Sequence, residues 1–344
     1  MNGPRPAPAA WAEVTIETVP VGNTGNAADT RYTTAGYGAV DYEYRIGKYE
    51  VTAGQYCEFL NAVDPNGSNA HGLYNDTNSY GCQITWNAGA STYDFTGAPS
   101  GSASDWENRP VNYVSWYDAA MFANWLTTGS IHQGAYDTSS SAGWGDSDAR
   151  NYTGIDRAGA ISTYGKVYVI PTEDEWYKAA YHKNDEDTGN YFDYPTSSNT
   201  APGYVDDDGE LSGTSIVFVD GVADPGNYAT YDGDGGTNGI GSPYARTEAG
   251  EWENSESPYE TFDQGGNVWE WNETLIGEEG RGVRGGSFSG GGDVLRASSR
   301  YYISPTDEHY SVGFRVSVVP EPASIALLAL GGVGLLARRR NVRG

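Results

Sequence analysis

Three widely spaced stretches begin with the same device, and it limits how this chain can fold. Thr52-Ala-Gly-Gln55 precedes YCEFL, Ser115-Trp-Tyr-Asp118 precedes AAMFANWL, and Thr172-Glu-Asp-Glu175 precedes WYKAAY. Each places a hydroxyl just before a helix and an acid or amide three residues on. Together these groups satisfy backbone N–H donors that have no partner in the first helical turn. Apolar residues then recur at helical spacing: Tyr56, Phe59 and Leu60; Ala119, Phe122, Ala123 and Leu126; Trp176, Ala179 and Ala180. The alternating runs YRIGKYEV (44–51), KVYVI (166–170) and VGFRVSVV (312–319) have the period of strands. Long glycine- and serine-rich connections lie between them, chiefly 129–163 and 191–231. This pattern predicts one irregular α+β domain over residues 38–318. Residues 1–37 form an N-terminal segment with a first strand, and 319–344 form a separate tail. There is no internal repeat.

Charge narrows the partners. The 46 acidic against 20 basic residues leave a net charge of −26, which disfavours nucleic acid, since binding phosphates takes clustered cations. Surplus carboxylates suit divalent cations or solubility outside the cell. With 13% aromatic residues and 47 glycines the chain is globular and loop-rich rather than disordered. Its four histidines show no close metal-binding spacing such as HExxH. Cys57 and Cys82 could form one disulfide in an exported protein, worth about 3 kcal/mol, or stand as two independent buried thiols.

The tail, VPEPASIALLALGGVGLLARRRNVRG, is the clearest single signal. Its apolar run from Ala323 to Ala337 is shorter than the roughly 20 residues that span a bilayer comfortably. Arg338, Arg339 and Arg340 should hold its end on the cytoplasmic side, leaving everything before Val319 outside. With Pro320, Glu321 and Pro322 ahead of the apolar run, the tail resembles the PEP-CTERM sorting signal of Gram-negative-type bacteria. The resemblance implies a membrane-embedded sorting protease (an exosortase), transient anchoring by the tail helix, its removal, and delivery to the cell surface or extracellular matrix. The start, MNGPRPAPAAWAEV, has no apolar signal core, although Ala10-Trp11-Ala12 has the pattern of a cleavage site. The expectation is that the start is truncated or misplaced.

Between the ends, YEVTAGQYCEFL (49–60), RPVNYVSWYDAAMFANWL (109–126), IPTEDEWYKAA (170–180), GGNVWEWNE (265–273), RGGSF (284–288) and GFRV (313–316) occur in order. Together they resemble the formylglycine-generating enzyme, or sulfatase-modifying factor, family. The resemblance implies a C-type-lectin-like fold with bound calcium. Carried over residue by residue, one calcium site would use Asp263, the carbonyls of Gly266 and Val268, and Glu270. A second would use Asn227, the Tyr228 carbonyl and Asp234 or Asp232. Calcium takes carboxylate and carbonyl oxygens, which a tight glycine turn can aim at one point. The alternative for Asp263 and Glu270 is that they only cap turns and bond nearby amides. Trp269 and Trp271 are expected in the core. YDGDGGTNG (231–239) is not an EF-hand, because Pro243 stands where a bidentate Glu is needed.

The family's oxidases use two cysteines just after RGGS to bind copper. Here that segment, FSGGGDVLR (288–296), contains none. Copper(I) needs soft thiolates, so copper and the oxidase reaction are not expected. Ser287, Ser289 and Asp293 mark a vacated active-site loop. The reading is an exported, calcium-stabilised binding or structural module, with an extracellular polysaccharide or protein as partner. The alternative is an oxidoreductase-type enzyme like the family's formylglycine-generating members, or another enzyme using non-cysteine residues in the same groove. Paired acids such as Asp207 and Asp208, or Glu278 and Glu279, read as solvated surface.

Overall fold

In chain order the elements are β1 (Thr18–Val21), β2 (Tyr44–Gly47), α1 (Ala53–Val63), β3 (Thr85–Asn87), β4 (Thr92–Asp94), α2 (Ser104–Glu107), α3 (Trp116–Thr128), α4 (Arg157–Tyr164), β5 (Val167–Val169), α5 (Glu173–Tyr181), β6 (Trp269–Ile276), β7 (Gly280–Arg284), β8 (Tyr301–Ile303), β9 (Val312–Gly313) and β10 (Ser317–Val319). The computed structural model describes residues 14–75, 80–98, 103–205, 226–233, 240, 244–277 and 280–319. Few helices, short strands and long connections make an α+β fold, as the sequence predicts.

The two ends of the domain meet in one sheet of order β1-β2-β10-β5. Ile46 stands opposite Val19 on one side and Ser317 on the other, and Ser317 in turn faces Val169. Val21, Ile46, Val167 and Val169 are fully buried, so the apolar alternation fixes this register. The second sheet, β8-β7-β6-β9, carries the GNVWEW and RGGS segments. Its β6 and β7 are antiparallel with a shift in register between Trp271 and Leu275, while β9 joins β6 in parallel.

All three helix starts are as expected. Thr52, Ser115 and Thr172 each accept a hydrogen bond from the third helical residue, whose side chain returns to the cap amide. α4 falls inside the stretch expected as loop; its cap is Asp156, which accepts from the Gly159 amide. The run VGFRVSVV divides into β9 and β10. Between them Phe314 and Val316 give their carbonyls to the Val51 and Gly47 amides, tying the chain's end to β2.

Tyr56, Phe59, Phe122, Trp125 and Phe314 pack as tilted and edge-to-face rings between α1, α3 and the chain's end. Trp116, Trp176 and Trp271 are also fully buried, and their indole N–H groups reach Asn272 O, Glu270 Oε2 and Val114 O. The disulfide alternative is not realised: Cys57 and Cys82 are buried free thiols. Cys57 Sγ lies 3.3 Å from Tyr93 O, and burial pushes its thiol up to about 12. Among the described residues no helix is long and apolar enough to cross a membrane. The expected tail helix, and the acid pairs at 207–208 and 278–279, lie outside them.

Candidate functional site

The segment from Asp263 to Glu270 joins a strained turn to a regular strand. Asp263, Gly266 and Asn267 all have positive φ, at 59°, 86° and 55°. Gly266 is needed where it stands, since a Cβ there would lie 2.2 Å from Thr230 O. The turn brings Asp263 Oδ2 within 2.6 Å of the Gly250 amide. Beyond it, Val268 and Asn267 reach Glu50, the Val268 amide at Oε1 and the Asn267 amide group at Oε2. Asn267 Oδ1 is buried and has no hydrogen-bond partner among the described residues.

Glu270 has a partner that its own segment does not reveal. Arg315, from the GFRV segment, is fully buried and donates from Nε to Glu270 Oε2 at 2.5 Å and from Nη2 to Oε1 at 2.7 Å. Trp176 adds a third donor at Oε2. Glu50, Asp263 and Glu270 all act on this one guanidinium. Burial raises Asp263 to about 6 and Glu50 well above the carboxylate range, with the neighbouring carboxylates adding to the shift. Glu270 thus pairs directly with Arg315, while Glu50 and Asp263 act on it at longer range and Glu50 acts also on buried Arg246.

Around the second expected site, Asn227 (φ 62°) accepts from Thr196 Oγ1 at 2.5 Å, and the Tyr228 amide bonds Ser255 Oγ. The Asp232 amide donates to Gly290 O, and Asp234 lies outside the described residues. Among the described residues no group of three or more His, Cys, Asp or Glu is arranged to hold a metal through side chains alone.

The RGGS loop is pinned at its base. Arg284 is fully buried and gives Nε to Glu173 Oε1, 2.8 Å away, and Nη1 to the carbonyls of Ala297 and Ser299. Arg300 closes on the same carboxylate at 2.7 and 2.6 Å, so Glu173 holds both ends of the 284–300 excursion. Gly285 (φ 98°) passes its carbonyl to Gly266, locking this loop to the GNVWEW turn. Ser287 is buried and Ser289 exposed, with their hydroxyls 3.3 Å apart. Asp293 is exposed, further along the same loop. Tight turns from Ser287 to Gly290 and from Gly291 to Val294 fill the segment where the resemblance would place the cysteines. Arg296 bonds the Tyr194 hydroxyl.

The sulfatase-modifying factor enzyme 1-like domain matches residues 12–319, and the PEP-CTERM protein-sorting motif matches residues 318–340. The chain belongs to the sulfatase-modifying factor family. No curated protein matches it. Among solved structures it is similar to Treponema denticola variable protein 1, at 21% identity and TM-score 0.50, covering 91% of this chain and 98% of that one. It is also similar to CarF (22% identity, TM-score 0.48, 88% and 98% covered) and to PvdO from Pseudomonas aeruginosa (16%, 0.47, 89% and 95%). The sorting motif implies processing by an exosortase and export to the cell envelope.

Proposed function

We propose that this protein is a surface or matrix binding module: a sulfatase-modifying-factor domain that has given up the family's oxidase chemistry. One observation carries the reading. The loop that should hold two copper-binding cysteines is a run of Ser, Gly and Asp closed by tight turns, while both cysteines of the chain are buried elsewhere. Without thiolates in the loop, copper(I) has no soft ligand there. The buried thiols are also poor nucleophiles, since desolvation pushes both up.

Calcium at the GNVWEW turn belongs to the same proposal. Burial disfavours the charged forms of Asp263 and Glu50, a cost that a bound divalent cation would offset, and among the described residues the buried Asn267 oxygen in the same turn has no partner. Asp263 with the carbonyls of Gly266 and Val268 suits a hard cation best. Glu270, already taking three donors, fits as an outer neighbour that orients Arg315 and Trp176. Asn227 and the Tyr228 carbonyl would form the start of the second site.

The test is incubation of the purified protein with a cysteine-containing sulfatase peptide, copper and oxygen. The peptide is expected to keep its thiol by mass spectrometry. Formation of the aldehyde would overturn the reading.

A further inference from the structure

A cleft of about 650 Å³ opens beside the second sheet, and none of the described residues lining it belongs to the serine loop. Its size is within the range of small-molecule sites, about 300–1,000 Å³. Trp269 from β6 and Tyr301 and Tyr302 from β8 contribute a row of rings. Trp269 and Tyr301 are 6.2 Å apart, and Tyr301 and Tyr302 lie 5.8 Å apart and 21° from parallel. The two tyrosines are 58% and 49% exposed, the two highest exposures among the large hydrophobic side chains described. The row is built into the fold. β8 pairs with β7 so that Tyr302 stands over Gly282, and a Cβ on neighbouring Gly280 would lie 2.3 Å from the Tyr302 ring.

The same cleft is lined by hydroxyls and carboxylates, notably Ser304, Asp307 and Asp148. Asp148 is held by Arg150 through a bidentate pair. The Ser304 hydroxyl bonds Ser147 O, which joins the two loops at the cleft. No lysine or arginine is among the lining residues.

From this we infer that the cleft binds a neutral polysaccharide, with sugar rings stacked on Trp269, Tyr301 and Tyr302 and hydroxyls bonded to Asp307, Asp148 and Ser304. The inference rests on the binding-module reading above and gives it a site and a ligand class. Sugar rings present apolar C–H faces that match exposed aromatic faces, and their hydroxyls match ionised carboxylates, which only accept. Anionic polymers are disfavoured by Asp307 in the lining and by the net charge of −26. Asp263 is not among the lining residues, so this binding is expected to be independent of the cation proposed there.

The full-length protein, kept in detergent, is immobilised and probed with β-glucan, mannan and chitotetraose, with alginate as the anionic control. At least one neutral glycan is expected to bind, to survive EGTA, and to exceed alginate. Tyr301→Ala and Tyr302→Ala should each weaken binding about tenfold, and Tyr301→Phe less than twofold. Both rings are exposed, so the variants should keep the wild-type melting temperature, which is measured alongside. The inference is overturned if no neutral glycan binds, if Tyr301→Ala binds as wild type, if EGTA abolishes binding, or if alginate binds best. The inert-peptide result is independent, so the cleft can fail while the non-oxidase reading stands, and the reverse.

Discussion

Glu173 shows how much a single buried carboxylate can organise. It faces Arg284 and Arg300, whose guanidinium groups also lie over the Tyr37 ring. Removing it leaves Arg284 buried and partly uncompensated, the situation in which broken ion pairs cost most. Glu173→Ala is expected to lose about 3–5 kcal/mol in urea unfolding, and Glu173→Gln less, because the amide oxygen still accepts. Asp118 makes a different point. As the third residue of α3 it completes the Ser115 cap, but burial raises its carboxyl to about 7. Between its unfolded value near 3.8 and 7 the folded state holds a proton that the unfolded state has lost. Stability from this group is therefore full below pH 3.8 and is lost as pH rises through 7. Asp118→Asn carries no such titration. The melting temperature of wild type minus that of the variant should fall from about pH 4 to about pH 8; a constant difference would refute the shift. These two residues also mark what the sequence reveals. Asp118 is readable because its partner is three residues away. The Glu173–Arg284 and Glu270–Arg315 pairs, separated by 111 and 45 residues, carry no local signal.

At the level of elements, legibility obeys the same rule. The three capping boxes mark α1, α3 and α5 because cap and partner sit within one turn. α4 is not legible, because its cap is a lone Asp156 and its sequence, RAGAISTY, has weak apolar periodicity. β7, GRGVR, has two glycines in five residues and is a strand only because β6 and β8 flank it. Trp271 is in the core as expected, while Trp269, two residues earlier on the same strand, packs against that core but is only partly buried, with an edge at the cleft. Strand alternation puts both on one side, and only the distant loops decide that one is covered and the other is not. The turn before β6 gives a sharp test. Gly266→Ala needs positive φ and meets Thr230 O at 2.2 Å, so it should cost more than about 2 kcal/mol. Gly22→Ala, with nothing within 4 Å of the new methyl, should change stability by less than about 0.5 kcal/mol. Equal effects of the two substitutions would show that the turn yields.

For the whole molecule the arrangement of the ends and the excess of acid belong to one argument. β10 lies between β2 and β5, and the sorting motif comes directly after it in sequence. The last strand is therefore an inner strand of its sheet, held on both sides by strands that precede the tail in sequence. A chain with a net charge of −26 gains from any bound cation that offsets its internal repulsion. If calcium sits at Asp263 and the Gly266 and Val268 carbonyls, mass action stabilises the fold by about 2.7 kcal/mol at about 100 times its dissociation constant. For a domain of this size that corresponds to a melting temperature raised by about 5 °C. EGTA should remove that increment, calcium should restore it, and magnesium should restore less because it demands stricter octahedral geometry. Asp263→Asn keeps an oxygen for the Gly250 amide but removes the charge, so its melting temperature should no longer respond to EGTA. A wild-type protein that contains no calcium by elemental analysis and melts unchanged in EGTA would leave the acidic turn to Arg315 and to protons alone.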